Sequence, residues 1–189
     1  MKLIFVTTNE QKFAKGKAVC HEYGIELIQR KLDIDEVQSE DTDYVARRKA
    51  EAAYEIVKAP VIISDDAWGF HGLNGFPGTY AKSVNTWLTA DDYIRLMEGV
   101  SNRKVSFVQT LVFEDETGQK LFKNESIGTT LEVPRGDSGV SIQAVVSLEP
   151  DGKASIAEMI NGGSHYDGPA AISVWHEFAK WYAKQVSNR

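Results

Sequence analysis

Two short apolar runs, each stopped by a polar cluster, constrain this chain more than any other feature. The first, Lys2 to Val6 (KLIFV), gives way to TTNEQK at residues 7–12; the second, Val61 to Ser64 (VIIS), gives way to the paired Asp65 and Asp66. Apolar runs of this length read as buried strands rather than helices. Between them Phe13, Gly16, Cys20 and Tyr23 recur at the spacing of one helix face, with Gly24 as a stop. A short strand is predicted around Leu27. A second helix is predicted from Thr42 to Val57, with Val45, Ala52 and Ile56 on one stripe and Lys49 on that same stripe. The strand–helix–strand order predicts an α/β fold whose loops open at the strand ends.

The middle of the chain changes character. Thr89, with Asp92 three residues later, makes a capping box for a helix through Met97, which Gly99 ends. Val105 to Phe113 and Lys120 to Val133 are rich in strand formers, and the Asp115–Gly118 region between them predicts a long antiparallel hairpin. From Ala170 onward, Ala171, Val174, Trp175, Phe178 and Tyr182 keep helical spacing, so a packed C-terminal helix is expected with its aromatics in the core. At 189 residues the chain suits one large domain or two interlocked lobes. A net charge of −6, spread along the chain, argues against a duplex nucleic-acid partner, which calls for a basic face. Cys20 is the only cysteine, which excludes an intramolecular disulfide, and it reads as a small buried hydrophobe. No apolar leader follows Met1 and no apolar run is long enough to span a bilayer, so a cytoplasmic protein with no membrane partner is expected.

Three polar clusters could carry chemistry. TTNEQK enters a helix N-terminus, where free N–H groups and the helix dipole favour a phosphate. Asn9 is placed to cap that helix and Lys12 to neutralise a phosphate oxygen. The second cluster, DIDEVQSED from Asp33 to Asp41, reads by itself as a solvated loop, but Lys49 follows on an otherwise apolar stripe. An amine there either snorkels outward or meets an anion in a cleft. The third, Ser64 to Lys82 (SDDAWGFHGLNGFPGTYAK), begins with two aspartates at the end of a buried strand. Placed near each other they repel unless a cation or water offsets the charge. Hard oxygen ligands suit Mg²⁺, which also bridges to substrate phosphates, and one carboxylate could activate the attacking water.

The order and spacing of these clusters resemble the inosine triphosphate pyrophosphatase family, enzymes that clear non-canonical purine nucleotides. The T-x-N-x-x-K opening matches Thr7, Asn9 and Lys12; the lysine of the next helix matches Lys49; the acidic strand end matches Asp65 and Asp66. L-x-G-x-P-G-x-Y matches Leu73, Gly75, Pro77, Gly78 and Tyr80, the proline–arginine–glycine turn matches Pro134 to Gly136, A-E-M matches Ala157 to Met159, and the terminal serine–histidine matches Ser164 and His165. The resemblance implies an elongated, two-lobed mixed sheet flanked by helices around a central cleft, in a homodimer. It implies Mg²⁺-dependent attack of water on a nucleoside triphosphate, releasing pyrophosphate. Thr7, Asn9, Lys12 and Lys49 are the implied phosphate contacts, Glu36 and Asp65 the metal-binding acids, and Asp65 with Lys49 the catalytic pair. Asp66 and Lys82 are further implied substrate contacts. Assigning the base to Asp65 over Asp66 keeps the spacing to Lys49 and Gly78 free of gaps.

The chain departs from the family pattern where the base would be read. The family carries an aromatic and then Asp-Pro after the proline–arginine–glycine turn, whereas here Ile142, Gln143 and Ala144 stand in that stretch. The lysine before the serine–histidine pair is missing, and the arginine after it is replaced by Tyr166. Gln143 and His165 remain as base contacts. Phosphate and metal chemistry thus read as retained, and base recognition as rebuilt. Two other readings stay open at this point: a nucleotide-binding sensor with little turnover, and a hydrolase of another phosphorylated metabolite.

Overall fold

The structure, a computed structural model, describes residues 1–149, 151–163 and 173–187. Its strands are β1 (Lys2–Val6), β2 (Glu26–Arg30), β3 (Val61–Phe70), β4 (Phe76–Gly78), β5 (Lys104–Asp115), β6 (Gly118–Thr130) and β7 (Val146–Ser147). Its α-helices are α1 (Glu10–Glu22), α2 (Thr42–Val57), α3 (Ala81–Trp87), α4 (Ala90–Leu96), α5 (Ile156–Asn161) and α6 (Val174–Ser187). The strands bond in the order β2-β1-β3-β5-β6-β7, with β4 on β3. Parallel pairs (β1 with β2 and β3) and antiparallel pairs (β3 with β4, β6 with β7) make the sheet mixed, as expected for this α/β class. The chain forms two compact units. One comprises Met1–Asp66, Gln109–Asn124 and Ile172–Arg189; the other comprises Ala67–Val108 and Glu125–Ala171.

In the first unit each strand divides its side chains between two cores. Leu3 and Phe5 of β1, Ile62 of β3, Leu111 and Phe113 of β5 and Phe122 of β6 pack with Cys20 of α1 and Val174, Trp175 and Phe178 of α6. Val6, Val61, Ile63 and Val112 point the other way, onto Ala46, Ala50 and Ala53 of α2. Strand period two is what makes this division. Helix α1 lies close to α6 because residue 16 is glycine: a Cβ there would stand 2.7 Å from the Trp175 ring. Asn9 caps α1, its Oδ1 accepting from Lys12 N at 3.0 Å, as the sequence predicts.

Two expectations need correction here. The buried stripe of α2 is Val45, Ala46, Ala50 and Ala53; Ile56, placed on the apolar stripe from sequence, is 51% exposed. Small residues let α2 lie flat on the sheet, so alanines rather than Ile56 make the contact. The second correction concerns β3. It does not stop at Ser64 but runs on to Phe70, so Asp65 and Asp66 lie inside a strand of 10 residues instead of at its end. Pairing carries it through: Trp68, Gly69 and Phe70 meet Gly78, Pro77 and Phe76 of β4.

In the second unit Trp68, Phe70, Tyr93, Met97, Val105, Phe107, Ile142, Val146 and Ile156 form the core. The capping box of α4 is present, with Thr89 N donating to Asp92 Oδ2 at 2.9 Å and Asp92 N to Thr89 Oγ1 at 3.2 Å. The Pro134–Gly136 turn is held by α5: Ser155 Oγ donates to Arg135 O at 2.6 Å, and a Cβ on Gly136 would meet Glu158 N at 2.7 Å.

Candidate phosphate and metal site

The site begins where β1 ends. Val6 pairs with Ile63, and the chain then leaves the sheet through Thr7 to Asn9, so Ser64, Asp65 and Asp66 have no β1 residue beside them. That gap in the ladder opens the edge of β3 to the loop. The loop is ordered by its own bonds: Thr7 Oγ1 accepts from Asn9 N at 3.1 Å, and Thr7 O accepts from Gln29 Nε2 at 3.2 Å. Thr7 keeps its hydroxyl hydrogen to donate to a ligand.

Successive strand residues face opposite sides of the sheet, so Asp65 and Asp66 do not share one pocket. Asp65 is odd-numbered like Val61 and Ile63 and faces α2. There Lys49 Nζ donates to Glu36 Oε1 at 2.7 Å and lies 3.5 Å from Asp65 Oδ1. Asp66 turns to the α1 side, where Lys12 Nζ lies 3.0 Å from its Oδ2. Each aspartate thus has a lysine of its own to offset its charge, although Asp66 still works against the ionised form of Asp65.

Burial raises the Asp65 carboxyl above its usual range, more than Lys49 and Lys12 pull it down. Burial also works against the Lys49 ammonium, but Asp65 and Glu36 outweigh it and hold its pKa above the ordinary value. A third lysine, unnoticed in sequence, joins the α1 side. Lys15 is one helical turn beyond Lys12, and burial lowers its pKa to about 8 despite the nearby Asp66. The TTNEQK motif ends before Lys15; only its helical phase relative to Lys12 could have marked it.

Thr7, Asn9, Lys12, Glu36, Lys49, Asp65 and Asp66 thus come together in one unit. Lys82 is exposed on α3 in the other unit; Gln143, half-buried in the turn at Ser141–Ala144 of that unit, accepts on Oε1 from Val140 N at 2.9 Å. Ile142, adjacent, is fully buried in that unit's core and presents nothing to a ligand. Ser164, His165 and Tyr166 lie outside the described residues. Among the described residues no three His, Cys, Asp or Glu side chains gather as a metal cage. Glu36 and Asp65, both drawn to the Lys49 ammonium, are nevertheless the donor set that Mg²⁺ accepts when phosphates and water fill its remaining positions. The donor chemistry fits a divalent cation.

Three lysines and three carboxylates around the open edge of β3, beside a capped helix N-terminus, define a class: an α/β protein equipped to hold a polyphosphate with a metal ion. The comparisons narrow the class. A model of the Ham1 family matches residues 3–163, and the chain belongs to that family. It is 30% identical over 190 residues to a dITP/XTP pyrophosphatase of Methanopyrus kandleri, covering 100% of both chains. Over 151 residues it is 33% identical to an inosine triphosphate pyrophosphatase of Trypanosoma cruzi, covering 79% of this chain and 76% of that one. A HAM1 protein of Coxiella burnetii has the same fold, with TM-score 0.76 at 19% identity and 100% of each chain covered.

Proposed function

We propose that this protein is a nucleoside triphosphate pyrophosphatase that converts a purine or modified purine NTP or dNTP to the monophosphate and pyrophosphate with Mg²⁺. The observation that carries the reading is the Glu36–Lys49–Asp65 cluster beside Lys12 and the capped N-terminus of α1. Lys12 and Lys49 offer ammonium donors to the phosphates, and Asn9 orders the helix end that faces them. Glu36 and Asp65 would hold Mg²⁺, which would supply charge neutralisation at the phosphates and Lewis acidity. Asp65, the acid beside Lys49, takes the proton of the attacking water. The water oxygen bonds the α-phosphorus, the bond from that phosphorus to the bridging oxygen breaks, and pyrophosphate leaves with the electron pair. Lys49, the neighbour of Asp65, stabilises the charge that develops.

The enzyme acts as a cytoplasmic homodimer in this reading, and Lys82 and His165 are further substrate contacts. A panel of nucleoside triphosphates with Mg²⁺, read by pyrophosphate release, tests it. Release of pyrophosphate and monophosphate from at least one purine nucleotide is expected, with discrimination between inosine and adenosine or guanosine triphosphates below about 10²-fold. Release of orthophosphate only, or no turnover on any nucleotide, would sink the proposal.

A further inference from the structure

The turn that carries Gln143 is anchored from outside by one side chain, Asn85. It stands inside α3, a helix of 7 residues, where helix propensity alone would not favour an asparagine. Tertiary hydrogen bonds account for its presence. Asn85 Oδ1 accepts from Ile142 N at 3.1 Å and from the Tyr93 hydroxyl at 3.2 Å, while Asn85 Nδ2 donates to Ala81 O at 2.7 Å. These partners fix the orientation of the amide, since the flipped group would set its NH₂ against the Ile142 N–H. Tyr93 and Ile142 are both fully buried. Burial pushes the Tyr93 hydroxyl up to about 12, so it keeps its proton and remains a donor at neutral pH. The first N–H groups of a helical turn have no partner within it. Without Asn85, the Ile142 N–H would therefore be a buried orphan.

The rest of the turn closes locally. Gln143 N donates to Val140 O at 2.8 Å, and Val140 N donates to Gln143 Oε1 at 2.9 Å. Arg135 N donates to Ala144 O at 2.8 Å. With its oxygen held in this way, Gln143 presents Nε2 as the end that can donate to a ligand. Val140, joined to it by both bonds, is 47% exposed. An apolar side chain next to one oriented amide donor suits a heterocyclic base, which offers an apolar face and acceptor atoms along its edge.

We infer that Asn85 is a positioning residue for recognition of the nucleotide base: it ties the Ser141–Ala144 turn, and Gln143 with it, to the helix that carries Lys82. The inference rests on the nucleotide reading above. Asn85 lies one helical turn after Lys82 on α3, so one short helix sets the place of both substrate contacts. Asn85 itself touches no substrate. It acts through the Ile142 N–H, and the buried Tyr93 hydroxyl on α4 keeps its carboxamide from turning away.

Equilibrium titration decides the matter. Asn85→Leu, Gln143→Leu and the double variant are titrated with a non-hydrolysable purine nucleoside triphosphate and, separately, with inorganic tripolyphosphate, both with Mg²⁺. Each single variant is expected to lose about tenfold in nucleotide affinity, with tripolyphosphate affinity unchanged. The double variant should also lose only about tenfold, because a Gln143 already displaced has no contact left to give up. Asn85→Asp keeps the acceptor for Ile142 N and Tyr93, and it should return nucleotide affinity to within about threefold of wild type. Where leucine prevents folding, Asn85→Ala removes the same bonds with a better helix former and is titrated in its place. A merely structural Asn85 would lower Tm and leave the ratio of nucleotide to tripolyphosphate affinity at its wild-type value, and that result overturns the inference. So do additive losses in the double variant, which would mean two independent effects. A wild-type protein that binds nucleotide yet releases no pyrophosphate removes the hydrolase reading instead, and the titrations still decide the role of Asn85.

Discussion

Lys49 keeps a charge in a half-buried position because Glu36 and Asp65 share it, at 2.7 and 3.5 Å. Two acids on one lysine leave negative charge for a metal ion, which is why Asp65 and not Asp66 is the expected centre of catalysis. Asp65→Asn is expected to lower kcat on the order of 10³-fold, from loss of a metal ligand and a base together. Asp66→Asn, which loosens only the Lys12 side, should cost less. Initial rates with both variants check this, and the reverse order would exchange their roles. Lys15 makes a separate prediction about stability. Its folded pKa of about 8 lies below the usual 10.5, so between those values the unfolded chain binds a proton that the folded protein does not. Stability therefore climbs with pH through that window, and below pH 8 the fold bears the full cost of a buried ammonium. Lys15→Met should raise Tm at pH 7, with the gain shrinking toward pH 10.5. A gain independent of pH would mean that packing, not charge, is responsible.

Among the elements, α1 depends on one absent methyl group. A Cβ at Gly16 would meet the Trp175 ring at 2.7 Å, and the atoms nearest to it all belong to that buried indole. Alanine is favoured over glycine by about 1 kcal/mol within a helix, while overpacking a core costs about 1–3 kcal/mol. The clash should win, so Gly16→Ala is expected to destabilise the protein by about 1 kcal/mol, measured as a lower urea midpoint at constant slope. A higher midpoint would show that α1 slides without loss. Elements with strong local signals were readable in advance: the Thr89–Asp92 capping box, the Asp115–Gly118 turn and the helical spacing of Val174, Trp175, Phe178 and Tyr182. The extension of β3 was not. Asp65, Asp66 and Gly69 are poor strand formers, and it is pairing with β4 and β5 that keeps them in the sheet.

For the molecule as a whole, the expected association has become more specific. Of four tryptophans, Trp68 and Trp175 are core residues and Trp181 packs against the core with α6, which leaves Trp87 outward and 74% exposed. An exposed indole of this size is the apolar surface that a second copy would cover. Sedimentation at micromolar concentration should give about twice the chain mass of 21.0 kDa, and Trp87→Ser should shift the boundary toward monomer. A wild-type monomer with full activity would remove the homodimer and leave the chemistry intact. No helix among the described residues is long and apolar enough to cross a membrane.

Sequence alone determined the α/β class, the capped helix after β1 and the cast of charged residues, because capping, strand period and motif spacing are local properties written in consecutive residues. It also carried the family resemblance, which the Ham1 match and the pyrophosphatase relatives sustain. Tertiary structure decided how those charges divide. Whether Asp65 and Asp66 share a pocket depends on whether β3 continues past Ser64, and that depends on partners distant in sequence. The membership of Lys15 follows from where α1 lies on the sheet, which Gly16 and Trp175 set together.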